Sequence, residues 1–256
     1  MRAYQFRYLC ESRFSRPVSW HFFHLRALPV ENECQRLQEL SFMLNPKEHV
    51  TESKDAWGNR IQYGSLIESH DRFIYESKGI VELSPYRIPE AGVSGMYRVP
   101  SVMTEYVPAL EEWGNKVNHN TDVLSQAVEL SELVYSGMTY SPNTTGNGTT
   151  AAQAFAQRQG VCQDYAHILL ALCRKRGIAC RYVNGFIPGE GETHAWVEVW
   201  CNGAWYGIDP THNRLIDWGY IKVAHGRDAA DCPVNRGIFR GFALQQSTVR
   251  VEMKEI

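Results

Sequence analysis

The sequence predicts an α+β protein, with an antiparallel β-sandwich over residues 1–105 and a helix-and-sheet core over residues 106–256. Three observations predict it: short alternating strands fill the first hundred residues, the apolar period turns helical after Pro100 and Pro108, and a strand hairpin follows the helix that begins at Cys162. With 256 residues the chain has the length of one large domain or two small ones. Surface scaling leaves roughly 11,400 Å² exposed and about 73% of the unfolded surface buried, so a full core is available.

Composition sets the class. Hydrophobic residues make up 44% and charged residues 21%, which excludes disorder, and 26 Lys plus Arg against 28 Asp plus Glu give a net charge of −2. Such a chain has no overall field for nucleic acid or an anionic membrane, so neither is expected as a partner. The seven cysteines, Cys10, Cys34, Cys162, Cys173, Cys180, Cys201 and Cys232, are odd in number and contain no C-x-x-C pair. They read as reduced thiols of a cytoplasmic protein, without a disulfide framework or zinc ribbon. The opening MRAYQFRYLCESRF lacks the apolar run of a signal peptide, and no stretch reaches membrane-spanning length. The sequons at Asn143 and Asn147 therefore read as a polar loop.

Taken in order, Tyr4, Phe6 and Tyr8 alternate with polar neighbours, Phe22 to Leu28 form a second run, and Phe73 to Tyr75 lie in a third. Asn45-Pro46, Asp55 to Asn59 and Ser84-Pro85 separate these runs. The half carries no acid, base or nucleophile set, so its expected role is structural or substrate-limiting, and the remainder is expected to fold without it. A helix is predicted over 121–136, capped by Asn120 or Thr121 and stopped by Gly137, and a short Ala-rich helix runs from Thr150 towards Gly160. Cys162 then starts a helix in which Ala166, Leu169, Leu170 and Cys173 stack on one face, with Gly177 as its stop. At a helix N-terminus the unpaired N–H groups stabilise a thiolate, the reactive form of cysteine. Cys173 reads as core.

Thr193 to Trp200 alternate strictly, placing His194, Trp196, Glu198 and Trp200 on one face. Asn202-Gly203 marks a tight turn, and counting back from it pairs Trp200 with Trp205, Glu198 with Gly207 and Trp196 with Asp209. His194 and Asp209 become diagonal neighbours at roughly 7–8 Å between backbones, within reach of each other's side chains. Cys162, His194 and Asp209 thus supply a nucleophile, its base and a group that fixes the imidazole tautomer. A metal site at His194, Asp209 and His212 is disfavoured, because His212 follows a Pro-containing turn that strand alternation does not carry back to His194. No metal or cofactor is expected. Trp200 and Trp205 read as a cross-strand aromatic pair, Trp196 as a cover or floor of the site, and Asp164 as a structural residue in the first helical turn. The Cys162 N–H would form half of an oxyanion hole, with Gln157 or Tyr140 as its second donor; residues 188–192 and 211–218 would wall the pocket.

Gly160-Val161-Cys162-Gln163-Asp164-Tyr165-Ala166, Gly177 to Gly185, His194-Ala195-Trp196-Val197-Glu198 and Ile208-Asp209-Pro210-Thr211 resemble the core of the bacterial transglutaminase-like superfamily, and the likeness extends to Gly226-Arg227-Asp228 with Asp231. The first half resembles the β-sandwich that precedes this core. Ala229 and Cys232 to Asn235 depart from the aromatic and proline-rich turn usual in relatives. The resemblance implies a papain-like domain with Cys162 as nucleophile, His194 as base and Asp209 as orienting acid, acting on a peptide or small amide through a thioester. Hydrolysis is the first expectation, protein-glutamine transamidation the second, and a binding module that keeps only the fold the third. Arylamine acetyltransferases and peptide N-glycanases fit less well, lacking here their nucleophile motif and zinc module respectively.

Overall fold

Tyr4, Phe6, Tyr8, Cys10, Ser12 and Phe14 are buried at alternate positions, the period-2 signature of a strand with one face in the core. In the computed structural model, which describes residues 1–119 and 121–256, they belong to β1 (Arg2–Leu25), a single strand of 24 residues. The sequence divides this segment into two runs for a physical reason. Its pairing register shifts between Arg13 and Val18, and Trp20 adopts a left-handed φ of 49°, so the alternation restarts out of phase. Arg26 and Leu28 lie beyond its end.

Next come β2 (Gln35–Asn45), β3 (Thr51–Lys54), β4 (Arg60–Leu66), β5 (His70–Leu83) and the two-residue β6 (Ile88–Pro89). The middle of the chain holds α1 (Pro108–Gly114), α2 (Val123–Gly137), β7 (Thr139–Tyr140), α3 (Ala151–Gln157), β8 (Gln159–Gly160) and α4 (Cys162–Lys175). The remaining strands are β9 (Cys180–Phe186), β10 (Gly189–Gly191), β11 (His194–Cys201), β12 (Ala204–Asp209), β13 (Arg214–Leu215), β14 (Ile221–Gly226), β15 (Asn235–Arg240) and β16 (Gln245–Glu255).

The first stretch of β1 sits in a sheet of order β10-β16-β1-β5-β2, and its last residues sit in a second of order β15-β1-β4-β3. Residues 235–255 thus complete sheets begun by residues 2–83, so these sheets lie on both sides of the boundary near residue 105. A third antiparallel sheet, β13-β12-β11-β9-β14 with β6 on its edge, carries α4 on one face. Ala195, Val197 and Val199 of β11 share a core with Ala166, Leu169, Leu170 and Cys173 of α4. The fold is α+β, and its accessible surface is 12,334 Å². No helix among the described residues is long and apolar enough to cross a membrane.

Two helix ends differ from expectation. Asp122 caps α2, its Oδ1 accepting from the N–H groups of Leu124 and Ser125, whereas Thr121 precedes the cap and Asn120 lies outside the described residues. Gly137 falls inside the last turn of α2. A Cβ there would come within 2.3 Å of the Trp113 ring, so packing and not termination requires glycine. Thr150 caps α3, which ends at Gln157, and Gly177, with φ at 71°, follows α4 as anticipated.

Candidate active site

Cys162 is the first residue of α4, and the turn before it is fixed by Asp164. The Asp164 Oδ2 accepts from the Val161 N–H at 2.8 Å and from the Thr145 hydroxyl at 2.6 Å. Gly160 leaves room for that carboxylate, since a Cβ there would lie 2.5 Å from Oδ2. Asp164 therefore serves the local fold. Of the seven cysteines, all free, six are buried and Cys162 alone is partly exposed. Burial pushes the Cys34 thiol up to about 11 and raises that of Cys10.

The β11–β12 hairpin follows the register predicted from its turn: Trp200 faces Trp205 and Glu198 faces Gly207, with Asn202 and Gly203 at φ 48° and 77°. The Trp205 ring packs on Tyr97 and under the Arg181 guanidinium, and both indoles hold Glu90, that of Trp200 donating to its carbonyl and that of Trp205 to its carboxylate. His194 begins β11, and its Nε2 lies 2.8 Å from Asp209 Oδ2. That bond leaves Nδ1 as the open nitrogen of the ring, and His194 lines the same cleft as Cys162. Cys162, His194 and Asp209 are thus brought together from a helix start and two adjacent strands.

Asp209 is fully buried yet accepts five hydrogen bonds. Its Oδ2 takes those of His194, the His212 ring at 2.7 Å and the Tyr220 hydroxyl at 2.7 Å; its Oδ1 takes the N–H groups of Thr211 and His212. Burial opposes its charge, but the bonds from His194, His212 and Tyr220 outweigh that and hold the carboxyl well below the usual carboxylate range. Burial likewise disfavours the His194 imidazolium, and the bonds to Asp209 and Cys162 raise that ring to about 9.

His212 corrects the expectation that it lies apart. The two N–H bonds to Asp209 Oδ1 wrap the chain after Pro210 into an Asx turn, which swings the His212 ring to 5.1 Å from that of His194. His194, Asp209 and His212 offer ligand atoms within 4.8 Å of one another. His194 and His212 are both already hydrogen-bonded to Asp209 Oδ2, and a cation there would break the His194–Asp209 bond. The Asp-x-x-His spacing carried this signal. Tyr220 had none, since its place follows from the path of residues 216–220 and not from any period.

A cleft of about 1090 Å³ opens over Cys162 and His194. Tyr140, Tyr165 and residues 187–193 line it, as does Val251 of β16. Gln157 is not in its lining, whereas Tyr140 is tied to the residue two before Cys162 by the β7–β8 pairing. Arg214, Leu215, Asp217 and Trp218 line a neighbouring cavity of about 660 Å³ with Arg2 and Tyr4 of β1, and His212 borders both.

Comparison with known proteins matches residues 111–210 to the transglutaminase-like superfamily and residues 4–82 to the bacterial transglutaminase-like N-terminal region. An uncharacterized protein of Mycobacterium leprae is 28% identical over 271 residues, covering 95% of each chain. One of Mycobacterium tuberculosis is 31% identical over 225 residues, covering 73% of this chain and 71% of its own. Among solved structures, a "Putative Cysteine Protease" from Cytophaga hutchinsonii superposes over 100% of this chain and 92% of its own, with a TM-score of 0.79 at 23% identity. That likeness is one of fold.

Proposed function

The chain belongs to the transglutaminase-like superfamily, and from that premise we propose that it hydrolyses amide bonds of peptides or small amides through a thioester on Cys162. The observation that carries the proposal is the hydrogen bond of His194 to the buried Asp209 carboxylate, with His194 and the partly exposed Cys162 lining one cleft. Asp209 accepts from Nε2 and so leaves Nδ1 to take the proton of the thiol, and a ring raised to about 9 holds that proton near neutral pH. Cys162 Sγ attacks the substrate carbonyl carbon as its proton passes to Nδ1. The carbonyl oxygen becomes an oxyanion facing the Cys162 N–H, with the Tyr140 hydroxyl as the second donor. The C–N bond then breaks, the leaving amine takes the proton from His194, and the acyl group remains on sulfur. Water, deprotonated by His194, attacks the thioester; the acid departs and the thiol regains its proton. Cys162 is partly exposed, so water reaches the thioester.

Whole-protein mass after incubation with peptide amides tests this. The parent should show an acyl adduct and release free acid, whereas Cys162→Ala should show neither. Product mass with added primary amine separates the acceptors: an amide formed faster than the acid would replace hydrolysis by transamidation. Absence of any adduct, together with alkylation of Cys162 no faster than that of the buried thiols, would leave only a binding module.

A further inference from the structure

Glu198 lies fully buried on the face of β11 that also bears His194 and Trp196, away from α4. Lys222 of β14 donates to both its carboxylate oxygens, at 2.9 and 2.8 Å, and Arg181 of β9 pairs with Oε2. The Tyr86 hydroxyl donates to Oε1 at 2.6 Å. Buried ion groups of this kind carry a large desolvation cost, and an apolar filling is often as stable. What the group does for Tyr86 gives it a purpose. A carboxylate only accepts, so Tyr86 must donate to it, and the phenol oxygen is left as an acceptor. The Trp196 indole N–H fills that acceptor at 3.0 Å.

The oriented indole reaches both members of the His–Asp pair. Its ring lies 6.5 Å from that of His194, 24° from parallel, and meets Tyr220 edge-on at 5.3 Å; Tyr220 in turn donates to Asp209. Two glycines clear the space. A Cβ on Gly185 would lie 2.5 Å from Trp196 Cη2, and one on Gly207 would lie 3.0 Å from Tyr86 Cε1. Tyr86 itself stands between the strands of the first half and the core, its N–H donating to the Asp217 carbonyl at 2.9 Å.

We propose that Tyr86 is a positioning residue for the reaction: its hydroxyl, aimed by Glu198, fixes the Trp196 indole as the floor that holds His194 and Asp209 in register with Cys162. This rests on the acyl-transfer function proposed above. The groups that face His194 are Cys162, Asp209, His212 and Tyr220, so a tilt of the floor changes the first two contacts together.

The test is Tyr86→Phe, which keeps the ring and removes one oxygen. Iodoacetamide alkylation of Cys162 is followed against pH in the parent, Tyr86→Phe and His194→Ala, beside kcat and KM on the amide substrate. The parent's His194-dependent step should move towards neutrality by about half a pH unit or more, and kcat should fall about 5- to 10-fold with KM unchanged, the size of one lost buried hydrogen bond. Trp196→Phe, which lacks the N–H, should give the same displacement and serves if Tyr86→Phe does not fold. A Tyr86→Phe enzyme with the parent's pH profile and kcat, even at lowered thermal stability, overturns the positioning role and leaves acyl transfer standing. A parent whose alkylation profile matches that of His194→Ala overturns acyl transfer itself.

Discussion

A carboxylate with five donors and no exposure, as at Asp209, is worth more than a charge beside a histidine, because each donor fixes a direction. Asp209→Asn should therefore lower kcat/KM by about 10²- to 10⁴-fold, since an amide presents N–H where His194 needs an acceptor. His212→Ala removes one of three donors at Oδ2 and leaves the His194 bond, so a loss of only about 3- to 10-fold is expected. Equal losses in the two variants, measured on one substrate, would mean that His212 takes part in the chemistry. The same contacts set a pH dependence of stability. His194 sits near 9 in the fold against 6.5 unfolded, so its contribution, about 3 kcal/mol, is complete below pH 6.5 and disappears as pH rises through 9. Denaturant unfolding should show the gap between parent and His194→Gln closing between pH 7 and 10. A gap that widens over that range would contradict the contact with Asp209. Cys162, His194 and Asp209 were legible because each sits at a position with a local rule: a helix start, or a strand counted from an Asn-Gly turn. Tyr220 and Tyr86 were not, because they reach the site from loops whose paths obey no period.

At the scale of elements, close approach between strands decides where glycine is needed. Gly185 faces His194 across the β9–β11 pairing, and a Cβ there would lie 2.0 Å from the Ile221 carbonyl oxygen as well as 2.5 Å from Trp196. Backbone on one side and a buried ring on the other leave no direction in which to yield. Gly185→Ala should therefore cost about 3 kcal/mol or more and lower Tm by roughly 6–12 °C. Gly191→Ala, with nothing within 4 Å, provides the comparison and should leave Tm unchanged. Similar scans for both would show that β9 and β14 can separate at this point. The hairpin register was legible for the same reason that these glycines matter, since a two-residue turn admits only one alignment of its strands. The continuity of β1 was hidden by its own irregularity at Arg13 to Val18, and the partners of β1 were hidden by distance along the chain.

For the whole molecule, the decisive element is β16. It pairs with β1 from Phe14↔Gln245 to Tyr4↔Glu255, and on its other edge Val251 to Met253 pair with β10, Gly189 to Gly191. The loop that precedes His194 and walls the cleft is thereby hung from a strand whose own support lies in the first fifteen residues. No period in the sequence relates residues 4–14 to 245–255, so an N-terminal sandwich followed by a self-sufficient core was the natural expectation. The pairings argue for interdependence. A fragment of residues 106–256 would leave β15 and β16 without β1, exposing two unpaired strand edges and freeing the cleft wall. That fragment should aggregate, or fold with Cys162 alkylated at least tenfold more slowly than in the full chain. Co-expression with residues 1–105 should restore both solubility and reactivity by supplying β1 in trans. If the fragment alone is monomeric and its Cys162 reacts at the full-length rate, the cleft wall is held by the core itself, and β16 is only a seam between two independent halves.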